Sequence, residues 1–467
     1  MKNNLIRILI VVAVGAAIWF SPVPAGLKPQ TWHLFAIFVT TILGFILQPL
    51  PMGAFAFIAI TFTMLTRTLK PLEATSGFSS GTIWLIVSAF IFCRGIIKTG
   101  LGRRIAFELM KRLGNSTLKL AYTMAITDLV VSPATPSNTA RGGGVVFPIA
   151  RSLASAFESE PGPSSRRMGA FLMTNCFQAS TITSAMFMTS CAPNPLLVAL
   201  TAAGLGLTVT WGSWALASIV PGIVSLIVMP LVLYVLYPPE IKKTPQARAI
   251  AEKELAKMGP MTRAEKIVSV VFVSAIALWA TSSLTNIDAT TVAMLAVSVL
   301  LLTKVIDWKD ALEERGSWDT LIWLGGLFGL ADYLDRMGFG KWVAQLLAGM
   351  MVGFAWVPTL AIVLVIYCYT HYFFAGLSAH DVALYIPLCL VAIAAGAPKY
   401  LVVYSMIFVS SLVAGLTHYS TGVAPIFFGA GYVDQRTWWK LGFIMSVVNM
   451  VIWIGLGGVW WKVLGLW

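Results

Sequence analysis

Ser132–Gly144 (Ser-Pro-Ala-Thr-Pro-Ser-Asn-Thr-Ala-Arg-Gly-Gly-Gly) is a polar, Pro- and Gly-rich stretch set between two apolar runs, Leu118–Val131 and Val145–Phe157. A helix needs about 20 residues to cross the hydrocarbon core of a bilayer, and neither run reaches that length. The spacing predicts a hairpin that enters the membrane, turns at depth and leaves on the side it came from. Irregular backbone at that depth is tolerated only where it is buried in protein or lines a watery cavity. Such a tip offers hydroxyls, an amide, backbone N–H groups and one arginine, a set suited to a small anion.

Apolar runs near spanning length recur along the 467 residues, of which 58% are hydrophobic and 11% charged. The chain reads as an all-α polytopic membrane protein. Its net charge of +13 sits in short loops between those runs, which is a topological signal and not a nucleic-acid-binding one. The five cysteines fall inside apolar runs without metal-ligand spacing, as small core residues do. The first 26 residues resemble a signal peptide in outline, with Lys2 and Arg7 ahead of an apolar run; retention as the first spanning helix is the preferred reading.

In chain order, 1–110 holds the scaffold helices of a first repeat and a long fourth helix, Thr82–Met110. Residues 118–205 hold the first hairpin and a fifth helix, Met168–Leu205, broken at Thr189–Pro195. A sixth helix occupies 206–237, and a charged cytoplasmic linker, 238–266, is expected to lie on the membrane surface. Residues 267–350 repeat the scaffold and end in a ninth helix, Thr320–Met350. Residues 355–431 hold a second hairpin, its tip at Ala375–Asp381, and a tenth helix broken at Thr417–Pro425. The last helix lies in 440–467. The total is about 11 spanning helices and two re-entrant hairpins.

The halves form a repeat. Gly100-Leu-Gly102 recurs as Gly338-Phe-Gly340, and at nearly the same offset Thr139-Ala-Arg141 recurs as Ser378-Ala-His380 and Pro148 as Pro387. Each half runs long helix, hairpin, broken helix, and the number of crossings inverts one half against the other. With the N-terminus in the cytoplasm, Lys and Arg fall mostly on the inner side. Interrupted apolar segments in matching places mark a transporter's midplane binding site.

Ser137, Asn138 and Thr139 at the first tip, Ser378 at the second, and Ser190 and Thr421 in the breaks are the candidate donors to an anion. Arg141 and His380 occupy matching places and would be fixed cations beside the tips; the competing readings are a snorkelling arginine and a His380 that pairs with Asp381. His418 either donates to substrate or makes a structural hydrogen bond. His371 is expected to be structural and Asp128 to pair with a nearby basic group. No nucleophile–base pair, metal cluster or nucleotide loop is present in the sequence, so no enzyme, metal or cofactor is expected.

Ser137-Asn-Thr139 in this hairpin resembles the signature of the divalent anion:sodium symporter family of di- and tricarboxylate transporters. Thr417-His-Tyr-Ser-Thr-Gly-Val-Ala-Pro-Ile-Phe-Phe-Gly-Ala-Gly-Tyr432 is similar to its branch of bacterial citrate/succinate and tartrate/succinate antiporters and plastid 2-oxoglutarate/malate translocators. The resemblance covers essentially the whole chain. It implies a homodimer of elevator-type protomers, each with a scaffold domain and a mobile transport domain that carries both hairpins and both broken helices. It implies that Ser137, Asn138 and Thr139 bind a substrate carboxylate, and that Pro193 and Asn194 belong to the site. Two departures stand out. Gly376-Leu-Ser378 replaces a second Ser-Asn-Thr, leaving only Ser378 as a match, and Cys191-Ala-Pro-Asn194 replaces a Gly/Thr-Pro-Pro-Asn pattern.

The combined reading is a sodium-independent obligate exchanger of C4/C5 dicarboxylates, with citrate or tartrate as further candidates, in the bacterial cytoplasmic membrane. Arg141 and His380 would stand in for sodium. An empty transport domain would then carry uncompensated positive charge and cross poorly. The alternatives are a sodium- or proton-coupled symporter and, from another class, an anion channel or a receptor. The expected partners are dicarboxylate anions, membrane lipid and a second copy of the chain, with no nucleic acid.

Overall fold

The structure, a computed structural model, describes residues 2–350 and 353–467; Met1, in the expected first segment, lies outside them. Among the described residues the chain forms helices and turns, with one isolated backbone bridge between Ser116 and Lys243 and no named strand. Among the described residues, six helices are both long and apolar enough to cross a membrane.

The first three helices are α1 (Lys2–Trp19), α2 (Pro29–Leu47) and α3 (Met52–Leu65). Leu5 and Leu9 on α1 and Phe57 and Leu65 on α3 are exposed, as lipid-facing side chains are where the surrounding solvent is itself apolar. Pro29 starts α2, where its missing N–H would have had no helical partner. The helix stops at Gln48, whose φ of 46° and ψ of 53° are left-handed, and Pro49 and Pro51 follow it.

The expected single helix Thr82–Met110 is two helices, α4 (Gly81–Thr99) and α5 (Leu101–Leu113), separated by Gly100 at φ 75°. A residue with a Cβ is strained there, and glycine is not. Next come α6 (Thr117–Val131) and, after the first tip, α7 (Phe147–Ala156), which together form a hairpin. Then α8 (Gly169–Met186), a break at 187–192 and α9 (Pro193–Leu205) form the first broken helix. All 18 residues of α8 are buried. It packs against α6, against α10 (Trp211–Leu236) and against a helix of the second half. Two of its amides tie it to neighbouring backbone: Asn175 Nδ2 donates to Ala121 O at 3.0 Å and Gln178 Nε2 to Gly415 O at 3.0 Å.

The charged linker contains α11 (Gln246–Met258), which docks on the polar-faced α5 through Ala247 and Ala251. Arg104 fixes it in place, its Nε donating to Glu265 at 2.6 Å and its Nη1 to Gly259 O at 3.0 Å. The second half follows with α12 (Arg263–Ala280), α13 (Ala289–Leu302) and α14 (Arg315–Arg336). The expected helix Thr320–Met350 is also divided. Gly338, at φ 85°, separates α14 from α15 (Phe339–Met350), matching Gly100 in the first half. A second hairpin, α16 (Trp356–Thr370) and α17 (Leu377–Ala394), precedes a second broken helix, α18 (Lys399–Leu412) and α19 (Ala424–Gly429). The last span is α20 (Gln435–Met450), continued through a wide turn into α21 (Gly457–Val463).

Candidate functional site

Both hairpin tips and both helix breaks converge on one cavity of about 250 Å3. Pro136 to Thr139 come from the first tip and Ala375 to Ala379 from the second. Cys191, Ala192 and Pro193 come from the first break, and Thr421 and Gly422 from the second. The remaining wall is Gln48, Met52 and Phe90.

The first tip is shaped by local hydrogen bonds. Ser137 caps the next turn, its Oγ accepting from Ala140 N at 3.1 Å. Asn138 reaches across the cavity and donates from Nδ2 to Thr421 Oγ1 at 2.9 Å, and Thr139 Oγ1 lies 3.4 Å from Asn138 Oδ1. At the second tip α17 starts beside the cavity with no side-chain cap on its first turn. Its leading N–H groups and positive dipole end suit an anion. The 13-residue α9 also begins at the cavity wall, at Pro193.

Six of the expected binding residues therefore share the cavity: Ser137, Asn138, Thr139, Ser378, Pro193 and Thr421. The other three do not line it. Ser190 Oγ turns back to Ser184 O and Phe187 O, each at 2.6 Å. Asn194 Nδ2 donates to the same two carbonyls, at 2.7 and 2.9 Å, while its Oδ1 accepts from Ser411 at 2.9 Å. These bonds tie down carbonyls that the helix break frees. His418 lies against Phe428, and its Nδ1 accepts from Trp439 Nε1 at 3.0 Å.

Arg141 and His380 are also away from the lining, a correction to the idea that they face the substrate. Arg141 is fully buried behind the first tip. Its Nε donates to Asp128 Oδ1 at 2.8 Å, so its charge is already compensated. Its Nη1 donates to Thr135 O at 3.1 Å and Ser190 O at 2.8 Å, and its Nη2 to Ser180 O, Thr183 Oγ1 and Ser184 Oγ at 3.4, 3.2 and 3.0 Å. The guanidinium thus gathers backbone carbonyls from the tip, the break and α8. His380 is fully buried behind the second tip, stacked on Tyr367 with its Nδ1 3.6 Å from Asp381 Oδ1. His371 is structural, its Nε2 lying 2.9 Å from Ser420 O.

Sequence reading did not find Gln48, Met52 or Phe90. Pro136, Cys191, Ala192, Ala375 and Gly422 flank residues that it did find. No lining residue among those described carries a charged side chain. An anion placed there would meet helix ends, hydroxyls and amides.

Two halves of matching element order whose broken helices meet at a polar, uncharged cavity fit the architecture of a secondary transporter. The chain belongs to the family described as "Sodium:sulfate symporter transmembrane region", whose model matches residues 2–467. It is 50% identical to YflS of Bacillus subtilis, a protein named provisionally as a malate transporter, over 99% of this chain and 97% of YflS. It is 44% identical to the chloroplast dicarboxylate transporter 1 of Spinacia oleracea, over 98% of this chain and 81% of the other. It is 38% identical to the inner membrane protein YbhI of Escherichia coli, over 100% and 99%. Among solved structures, the YdaH transporter of Alcanivorax borkumensis matches at a TM-score of 0.53 over 99% of this chain and 97% of that one; at 13% identity the likeness is one of fold. The protein is a multi-pass membrane transporter and not an enzyme.

Proposed function

We propose that the protein exchanges C4/C5 dicarboxylates such as succinate, malate, fumarate and 2-oxoglutarate across a bacterial cytoplasmic membrane, without sodium; citrate and tartrate are further candidates. The observation that carries this reading is Arg141. It donates to Thr135 O and Ser190 O, so a cation that belongs to the protein already gathers carbonyls of a tip and a break. A covalently held cation cannot be transported, and the coupling ion is thereby removed. The names of relatives at 50% and 44% identity support the substrate class.

Ser137, Asn138, Thr139, Ser378 and Thr421 bind the substrate carboxylates directly, with Pro193 shaping the wall. Ser190, Asn194 and His418 act behind it, holding the breaks. Because Asp128 compensates Arg141, the barrier to an empty return comes from unsatisfied donors in the cavity. The uncapped end of α17 carries about half a positive charge, and a bound dianion satisfies it.

The hairpins and broken helices, 118–205 and 355–431, move as one transport body in each protomer of a homodimer, with the N-terminus cytoplasmic. A second cavity, of about 500 Å3, supports this division. It is lined by Phe38 and Ile42 of α2 and Leu334 of α14 on one side, and by Leu200 of α9 and Ile386 of α17 on the other. A loosely filled apolar seam of that kind lets two bodies slide.

The test is counterflow in proteoliposomes in sodium-free buffer, with and without internal succinate. Uptake that needs internal succinate is expected. Uptake into empty vesicles on an imposed sodium gradient would overturn the reading. Uptake on a proton gradient would select proton symport, the second reading, which the buried His380–Asp381 pair favours.

A further inference from the structure

Behind the two tips lie polar clusters that differ in how their carboxylate is satisfied. In the first, Asp128 has both oxygens occupied, Oδ1 by Arg141 and Oδ2 by the hydroxyl of Thr183. In the second, three buried atoms have no partner: His371 Nδ1, His380 Nδ1 and Asp381 Oδ2. All three residues are fully buried. Unpartnered polar atoms at such depth are costly, and three in one contact cluster point to something that binds there.

The hydrogen bonds define what is missing. His371 Nε2 faces a carbonyl oxygen, that of Ser420, so it must carry hydrogen. Thr370 Oγ1 gives its own hydrogen to Ile366 O at 2.7 Å, so at 3.2 Å it accepts from His380 Nε2. A neutral His380 with hydrogen on Nε2 then has a bare lone pair on Nδ1, facing Asp381 Oδ1 at 3.6 Å. That oxygen already accepts from Tyr367 at 2.7 Å and Ser410 at 2.8 Å. An ionised carboxylate facing a bare imidazole nitrogen in a dry site is repulsive. One added proton, on either His380 Nδ1 or Asp381, removes the conflict.

We infer that His380 and Asp381 form a proton-binding site behind the second tip, and that the single proton held there keeps that tip seated against the cavity. The proton comes from bulk water and returns to it; no other group is consumed. The ionisable groups around His380 are Tyr367 from α16, His371 from the turn after it, and Asp381 and Tyr385 on its own helix. Among the described residues no lysine or arginine pairs with Asp381, and a proton can balance it. The first tip holds its cation at every pH, and the second holds one only while it is protonated.

The consequence for transport rests on the exchange reading above; the site itself does not. Two measurements separate them, each with the same pH on both sides of the membrane or throughout the detergent solution. The first is succinate homoexchange from about pH 6 to about pH 9, a window that spans and exceeds ordinary histidine titration. The second is the melting temperature of the purified protein over the same window. Wild type is expected to lose exchange several-fold and to melt earlier as pH rises. His380→Arg, which supplies a permanent partner for Asp381, is expected to flatten both profiles. Asp381→Asn, which removes the need for the proton, is expected to flatten the melting profile even if the arginine does not fit. Parallel profiles for wild type and Asp381→Asn would overturn the proton site. A pH-dependent melting difference without succinate exchange at any pH would retain the site and overturn the exchange reading.

Discussion

Asn138 Nδ2 donates to Thr421 Oγ1 at 2.9 Å, and this bond joins the first tip to the second helix break, from opposite halves of the chain. Asn138 has one remaining amide hydrogen for a substrate carboxylate, and its Oδ1 accepts from Thr139. Asn138→Ala removes both the brace and a donor, at roughly 1 kcal/mol for each neutral hydrogen bond. The apparent affinity for succinate in counterflow should fall about tenfold or more. Thr421→Val should cost less. The double variant should cost less than the sum of the two, because the residues share a bond.

Arg141→Ala leaves Asp128 ionised and buried without a partner, which costs about 3–5 kcal/mol. Asp128→Ala strands the arginine in the same way. Both should melt far below wild type in detergent. Pairing Arg141→Met with Asp128→Leu should recover most of the stability, since an apolar replacement of a buried ion pair is often neutral. Exchange should stay lost in that folded double variant. Wild-type exchange there would remove the role proposed for the arginine.

Gln48 combines a left-handed backbone, φ 46°, with a place on the cavity wall. A non-glycine residue in that conformation gives up about 1–2 kcal/mol. Gln48→Gly should therefore raise the melting temperature, and Gln48→Ala should not. If the amide meets substrate, both variants should raise the KM for succinate by similar factors. A rise confined to one of them would assign the effect to backbone geometry.

Gly422 has no room for a Cβ, which would overlap Thr139 Oγ1. Gly422→Ala should displace the Thr139 hydroxyl and weaken succinate binding several-fold while the fold persists, because what it meets is the end of a side chain and not backbone. Isothermal titration with succinate, beside a melting curve, separates binding from folding.

Glu265 lies in the first turn of α12, buried beside Arg104. Burial works to raise its carboxyl, but the hydrogen bonds from Arg104 and Thr262 outweigh it and hold the group below its ordinary value of 4.5. A carboxyl lowered on folding contributes stability that is complete above that value and is lost as pH falls through the folded one. Wild type should lose more melting temperature on acidification than Glu265→Gln, which should start lower and change less.

Both tips and both breaks were legible in the sequence, because polar residues and prolines inside short apolar runs have few uses at membrane depth. The match of Gly100 to Gly338 was legible as a repeat, but its meaning was not. A glycine in an apolar helix reads equally as packing, and only the φ values of 75° and 85° show that both helices end there. Arg141 was read as a cation beside the tip, and the structure turns it behind the lining onto Asp128. Its partner Asp128 lies one tip away in sequence, and pattern alone does not say which way a side chain points after a turn of that kind. His418 stands in a break, yet Trp439 of a later helix draws it off the cavity. Gln48 gave no signal, since a polar residue before two prolines is an ordinary way to end a helix.

The cavity walls run in sequence from Gln48 to Gly422. A chain still emerging from the ribosome can thread its helices one by one, but it owns no site until the second break has been made. Quality control that senses ligand would therefore recognise only complete molecules, and a product truncated within the second half would enter the membrane unable to hold cargo.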